Sequence, residues 1–359
     1  MNDLINRLRQ PVGPLLRLAV APTWAARRQA LARLRQARVR RFQARKVDNF
    51  YTNIQRLGAH GTVDSASLGE HLKKWSQLQK KVNPKWYMAY TLTSGINCIN
   101  YVPTDIYVLY IEPALNDHRM APCFTNKSTY HLLFDPDLFP EIVVSNINGA
   151  YYDGGQTYLK QDDVIGFIMK CDRVVVKPSI DSGGGKNVQV FSKEGTKHRN
   201  RQGDELTMDY LAEHYGRDFV VQKYIEQLDY FQRLNRTSVN SVRVYTYRSV
   251  RTDEISIENL LVKVGGAGAE VDNLRAGGGV GCRIDMDGNL GTFATDPVGG
   301  RHTHLPGSGI KFADLPPVPQ IKDICQTAKA IAEKLCNQRV LGFDICIDKD
   351  GKAKEFSAW

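Results

Sequence analysis

The sequence predicts a mixed α/β (α+β) protein with a helical lead-in, and three observations carry that expectation. Residues 173–191 read R-V-V-V-K-P-S-I-D-S-G-G-G-K-N-V-Q-V-F, a glycine-rich loop between two runs of β-branched and aromatic residues. Residues 320–339 place Ile321, Ile324, Cys325, Ala328, Ile331, Ala332 and Leu335 at helical spacing after a proline-rich entry. The last residues, L-G-F-D-I-C-I-D-K-D-G-K-A-K-E-F-S-A-W, predict a hairpin turning at Asp348–Gly351.

The glycine loop is the first candidate for chemistry. Gly183, Gly184 and Gly185 can take backbone angles that a Cβ would forbid, so backbone N–H groups can converge on an anion. The loop is not a Walker motif, because Ile180 stands where the first glycine belongs and Asn187 follows Lys186. Nor is it a dinucleotide fingerprint, whose third glycine would fall at Val188. Both of those motifs open a helix, and here a strand follows. A flexible hairpin tip is the competing reading.

Composition narrows the classes. Of 359 residues, 42% are hydrophobic and 24% charged, which suits a globular protein with one or two domains. The formal charge of +10 suggests nucleic acid until it is located: residues 1–46 hold 12 Lys+Arg and one acid, so the other 36 bases and 37 acids nearly cancel. No specific nucleic-acid partner is expected. Seven scattered cysteines without a C-x-x-C pair predict a reduced, cytoplasmic chain. No run approaches the roughly 18 apolar residues of a membrane span, and Arg17 and Pro22 interrupt the apolar start, which argues against a cleaved signal.

Element by element, residues 24–46 are rich in Ala, Leu, Arg and Gln and predict a basic helix, either a contact with an anionic membrane or polyanion or a solvated tail. Residues 47–100 predict a helical lead-in. From 101 onward strand-like and helix-like pieces alternate: cap-like residues at Thr125–Ser128, a strand at Glu141–Val144, a helix at Glu205–Tyr215, and strands at Phe219–Ile225, Val239–Thr246 and Ile255–Val264. These divide the body at 101–359 into 171–230, with the glycine loop, and 231–359. His302 and His304 share a face if extended, but no third metal ligand has suitable spacing.

In the closing hairpin a two-residue turn between 348 and 351 would set Asp344 opposite Glu355. Two like charges in register destabilise a sheet unless a cation lies between them, and hard carboxylate oxygens suit Mg²⁺ held with phosphates. Two solvated acids on an edge hairpin are the alternative, and a three-residue loop would offset the pair.

Taken as a set, N-K-S-T-Y-H-L-L-F, I-N-G-A-Y-Y-D, K-P-S-I-D-S-G-G-G-K-N-V, V-V-Q-K-Y-I, T-S-V-N-S-V-R-V, V-D-N-L-R-A-G-G-G-V and G-F-D-I-C-I-D resemble the ATP-grasp superfamily, and within it the sugar-transfer associated group, over roughly residues 100–359. The resemblance implies an ATP-grasp fold of two subdomains gripping ATP. It implies that Lys127 and Lys177 reach the phosphates, that Ser182 and Gly183–Gly185 form the lid with Lys186 assisting, and that Gln222, Tyr224 and Ile225 edge the adenine. Arg243 and Lys263 would meet the γ-phosphate or a carboxylate substrate, and Asp344 and Glu355 would hold Mg²⁺. The implied activity is ligation of a carboxylate to an amine or other nucleophile, with a sugar or glycan precursor as acceptor. A phosphotransferase and a nucleotide-binding scaffold tethered by the basic N-terminus are the other readings. Three positions depart from the family pattern: Ser357 stands for an Asn ligand, Lys223 for an acid and Lys263 for an Arg.

Overall fold

A computed structural model describes residues 24–180, 185–270, 272, 274 and 278–358. It divides into two compact units, Met1–Ala114 and Leu115–Trp359.

The first unit is helical. Helix α1 (Trp24–Leu57) continues well past the basic segment, because Gln43, Val47 and Ile54 recur at helical spacing and bury one face. Helix α2 (Ser65–Trp75) starts at Asp64, whose carboxylate accepts from the Ser67 N–H at 2.8 Å. Helix α3 (Pro84–Ser94) has Asn83 as its cap, proline in its first turn and left-handed Gly95 at its end. Buried Trp86, Tyr87, Ala89 and Ile106 fill this unit, with the His71 ring packed on Tyr87.

The second unit holds two seven-stranded antiparallel sheets. The first consists of β1 (Ile142–Ile147), β2 (Ala150–Asp153), β3 (Tyr158–Leu159), β4 (Arg173–Pro178), β5 (Gln189–Glu194), β6 (Lys197–Arg199) and β7 (Phe219–Lys223), in the order β3-β2-β1-β7-β4-β5-β6. The sheet begins upstream of residue 171, because β1 pairs with β7. A helix, α4 (Met208–His214), is capped by the Thr207 hydroxyl. One face of this sheet buries Val144, Val174, Val176, Phe191, Phe219 and Val221 with Leu211 of α4.

The second sheet consists of β8 (Ser241–Arg248), β9 (Ile255–Val264), β10 (Val280–Ile284), β11 (Leu290–Thr295), β12 (Arg301–His302), β13 (Val340–Ile347) and β14 (Ala353–Ala358), in the order β12-β11-β10-β9-β8-β13-β14. Helix α5 (Ile321–Lys334) lays Ile324, Ala328 and Ile331 on Val242, Val244, Val262 and Ile345. It stops short of the predicted residue 339 because the chain turns at Leu335, where the Gln338 N–H returns to the Leu335 carbonyl, and enters β13. In both sheets alternation of side chains buries one face in an apolar core and leaves polar residues on the other.

Candidate active site

Lys177 lies on β4 directly opposite Val220 of β7, which in turn lies opposite Ser145 of β1. Opposed residues share a face, so Ser145, Val220 and Lys177 form one row, with Gln222 two residues along on the same side. This is the face turned away from the Val144–Val176–Phe219 core. Lys177 is 7% exposed, and its Nζ donates to the Phe356 carbonyl of β14 at 3.2 Å, bridging the two sheets. Burial, then the neighbouring Lys127 charge, lowers its pKa to about 7, against the pull of Glu355.

Lys127 opens a short 3₁₀ turn, Lys127–Thr129, capped by Asn126, which accepts from the Ser128 N–H at 3.1 Å and its hydroxyl at 2.6 Å. Its own N–H donates to the Ser179 carbonyl at 3.0 Å, which ties this turn to the end of β4. Burial lowers the Lys127 pKa and Glu355 opposes the shift. Glu355 itself is fully buried. Two lysines and one carboxylate thus come into electrostatic reach from three separate parts of the chain.

The glycine loop connects β4 to β5 as a hairpin, Val176 pairing with Gln189, so the strand-to-strand setting expected from the sequence is the observed one. Ser182, Gly183 and Gly184 lie outside the described residues. Gly185 has φ +69°, in the left-handed region, and Lys186 is exposed. After β7, the Tyr224 N–H donates to the Arg173 carbonyl at 3.0 Å, and the Arg173 guanidinium stacks 3.7 Å above the Tyr224 ring. Gln222 is buried and donates to the Pro140 carbonyl at 3.4 Å, while Ile225 is half-buried in the segment leaving the strand.

On the second sheet, Ser241 pairs with Lys263 and Arg243 pairs with Asp344. Arg243 grips Asp344 with both prongs of its guanidinium, Nε to Oδ1 at 2.5 Å and a terminal nitrogen to Oδ2 at 2.6 Å. Lys263 Nζ lies 3.0 Å from Asp344 Oδ2 and 3.3 Å from Asp272 Oδ1. Burial disfavours the Arg243 charge, but the Asp344 carboxylate outweighs it, so the Arg243 pKa is raised. Asp272 also takes the Ser241 hydroxyl, and burial raises its pKa against the pull of Lys263. Asp272 and Ser241 join the site only through these contacts. Their signal was present in V-D-N-L-R-A-G-G-G-V and T-S-V-N-S-V-R-V, but nothing in either string says which carboxylate meets Lys263.

One expectation is corrected. Asp344 does not face Glu355: it pairs with Ser357, and Ile345 pairs with Glu355. The turn holds three residues, since the Asp348 N–H donates to the Lys352 carbonyl at 2.9 Å and Gly351 takes φ +80°. A register irregularity between Asp344 and Ile345 then leaves Phe356 as the extra residue of β14. The two acids remain neighbours on adjoining strands, but Asp344 is held by Arg243 and Lys263, while Glu355 lies within electrostatic reach of Lys127 and Lys177.

The donor chemistry fits Mg²⁺ in one way. Among the described residues no three His, Cys, Asp or Glu side chains could hold a metal ion together. An ion would therefore take one or two carboxylates here and its other ligands from phosphate and water, the usual habit of Mg²⁺. The cations now around Asp344 and Glu355 are ones that a phosphate would attract. His302 instead pairs with Asp296, Nε2 to Oδ2 at 2.9 Å.

Two seven-stranded antiparallel sheets linked by a buried lysine, with a glycine hairpin leaving the strand that carries it, are the features of the ATP-grasp class of protein. More narrowly, a family model described as sugar-transfer associated ATP-grasp matches residues 110–353, and the chain belongs to that family. No curated protein sequence matches the chain at a significant level. Among solved structures it is similar to the ADP complex of purK, an N5-carboxyaminoimidazole ribonucleotide synthetase, with 12% identity and a TM-score of 0.35 over 73% of this chain and 48% of that one. It is similar to the D-cycloserine synthetase DcsG, with 12% identity and a TM-score of 0.37 over 68% of this chain and 64% of that one. D-alanyl-alanine synthetase A from Vibrio cholerae shows 12% identity and a TM-score of 0.35 over 65% of this chain and 54% of that one. The chain spans less than two thirds of each of these three structures.

Proposed function

We propose that the protein is a Mg-ATP-dependent ligase that activates a carboxylate as an acyl phosphate for attack by an amine or other nucleophile, with a sugar acid or glycan precursor as one acceptor. The observation that carries this reading is the clustering of Lys127, Lys177 and Glu355 next to the Arg243–Lys263–Asp344 network. Phosphoryl transfer needs charge neutralisation and positioning rather than a covalent nucleophile, and this cluster supplies both.

Lys127 and Lys177 bind the phosphates in this reading. Ser182, Gly183–Gly185 and Lys186 cover them, and Gln222, Tyr224 and Ile225 edge the adenine. Asp344 and Glu355 would hold Mg²⁺, which when bound neutralises phosphate charge. Arg243 and Lys263, partly released from Asp344, orient the γ-phosphate and the acceptor carboxylate. A carboxylate oxygen attacks the γ-phosphorus, the bond to the bridging oxygen breaks and ADP departs. The amine then attacks the acyl carbon, loses its proton and expels phosphate.

Ser357 opposite Asp344 supports a second reading, a nucleotide-binding scaffold with weak turnover, since a hydroxyl replaces the amide ligand of the family pattern.

ADP release is measured with Mg²⁺-ATP across a panel of sugar acids and amines. A ligase releases ADP only when both acceptors are present. A phosphotransferase needs one and leaves phosphate on it, and a scaffold binds ATP without release. Nucleotide binding that survives Lys177→Ala combined with Asp344→Asn overturns the site assignment.

A further inference from the structure

The basic helix plays no part in the chemistry above. At 3.6 residues per turn, the buried residues Gln43, Val47 and Ile54 define one face of α1. Leu31, Leu34, Arg38, Arg41 and Arg45 fall on the opposite face, with Phe42 at its edge. Leu31 is 55% exposed and Phe42 64% exposed, and the three arginines are exposed as well. Residues 24–46 contain no acid. The interleaving of Leu31 and Phe42 with arginines matches the two terms by which an interfacial helix holds an anionic bilayer: apolar burial at the headgroup boundary and attraction of the surface potential. Arg40 lies on the packed side, where it bonds the Tyr110 hydroxyl, so the arginines are divided between an anchoring face and an outward one.

We propose that this outward face of α1 docks the protein on an anionic phospholipid surface, with Leu31 and Phe42 entering the interface and Arg38, Arg41 and Arg45 meeting lipid phosphates. The helix is continuous through the packed residues, so the docking face is rigidly joined to the helical unit. No helix among the described residues is long and apolar enough to cross a membrane, so the attachment is peripheral. This inference does not rest on the ligase reading.

The test is co-sedimentation of the full chain with vesicles of phosphatidylcholine alone and with about one third phosphatidylglycerol. Binding to the anionic vesicles only, weakened by salt, is expected. Arg38→Gln, Arg41→Gln and Arg45→Gln together should lower it about a hundredfold, at roughly a factor of five per charge. Leu31→Ser with Phe42→Ser should lower it about tenfold or more. Both variants should keep the circular dichroism and ATP binding of the parent. No binding to anionic vesicles overturns the proposal. So does binding that ignores the Leu31/Phe42 change or is matched by free heparin or DNA, since either marks simple polyanion adsorption.

Discussion

Lys177 spends part of its time uncharged at neutral pH, because burial and the Lys127 charge bring its pKa to about 7. A phosphate brought beside it restores the charge, so ATP binding at pH 8 should take up close to one proton. Titration calorimetry in buffers of different ionisation enthalpy measures this, and Lys177→Met should abolish it. The sign for stability follows from the same shift. The unfolded lysine holds its proton up to its ordinary pKa of about 10.4, so between pH 7 and 10 the unfolded state binds more protons and this group makes the nucleotide-free protein more stable as pH rises. Below pH 7 the penalty is present in full. Nucleotide affinity should move the opposite way, falling as pH rises through that window. Asp344 is the complementary case. Asp344→Ala leaves the half-buried Arg243 without its carboxylate and the buried Lys263 with Asp272 alone, and should cost about 3 kcal/mol, read from urea unfolding. Asp344→Asn keeps one acceptor oxygen and the side-chain volume, although its NH2 turns a donor toward one of the two cations, and should cost less than the alanine.

At the scale of elements, two short turns position the site. Asn126 caps the turn that carries Lys127, so Asn126→Ala should cost about 1 kcal/mol of stability and should also weaken ATP binding while leaving its pH dependence intact. Gly351 lets a three-residue turn close between Asp348 and Lys352. A Cβ there would meet Gln320 Nε2 at 2.8 Å as well as straining a left-handed backbone. Gly351→Ala should therefore lower the urea midpoint by the equivalent of about 1–2 kcal/mol. Much of this level was legible from local chemistry. The strand at 255–264 matches the expected residues, and the glycine loop sits between strands as its flanking β-branched residues require. The basic helix ran on to Leu57 because its later residues find a core, which composition does not announce. The closing hairpin was legible as a hairpin, but its register was not. One more residue in the turn and one irregularity moved Asp344 from Glu355 to Ser357.

For the whole molecule, charge and packing separate along the chain. The first described buried side chain of α1 is Gln43, so a chain lacking residues 1–41, which gives up only the Arg40–Tyr110 contact among the described packing, should melt slightly lower and bind ATP as the parent does, while losing most of its attachment to anionic vesicles. Differential scanning calorimetry and vesicle sedimentation on one preparation check both halves of that expectation. The polar face of the first sheet and that of the second are brought together by long-range contacts such as Lys177 to Phe356, a separation of 179 residues. The sequence alone determined the strand, glycine loop and strand order, the amphipathic α5 and membership of the motif set, because these rest on spacing within a few turns or strands. Which charges neutralise which was decided only by tertiary structure. Lys127 and Lys177 share Glu355, while Arg243 and Lys263 share Asp344 with Asp272 alongside, because cross-strand register and sheet-to-sheet contact depend on single-residue offsets that no local pattern encodes.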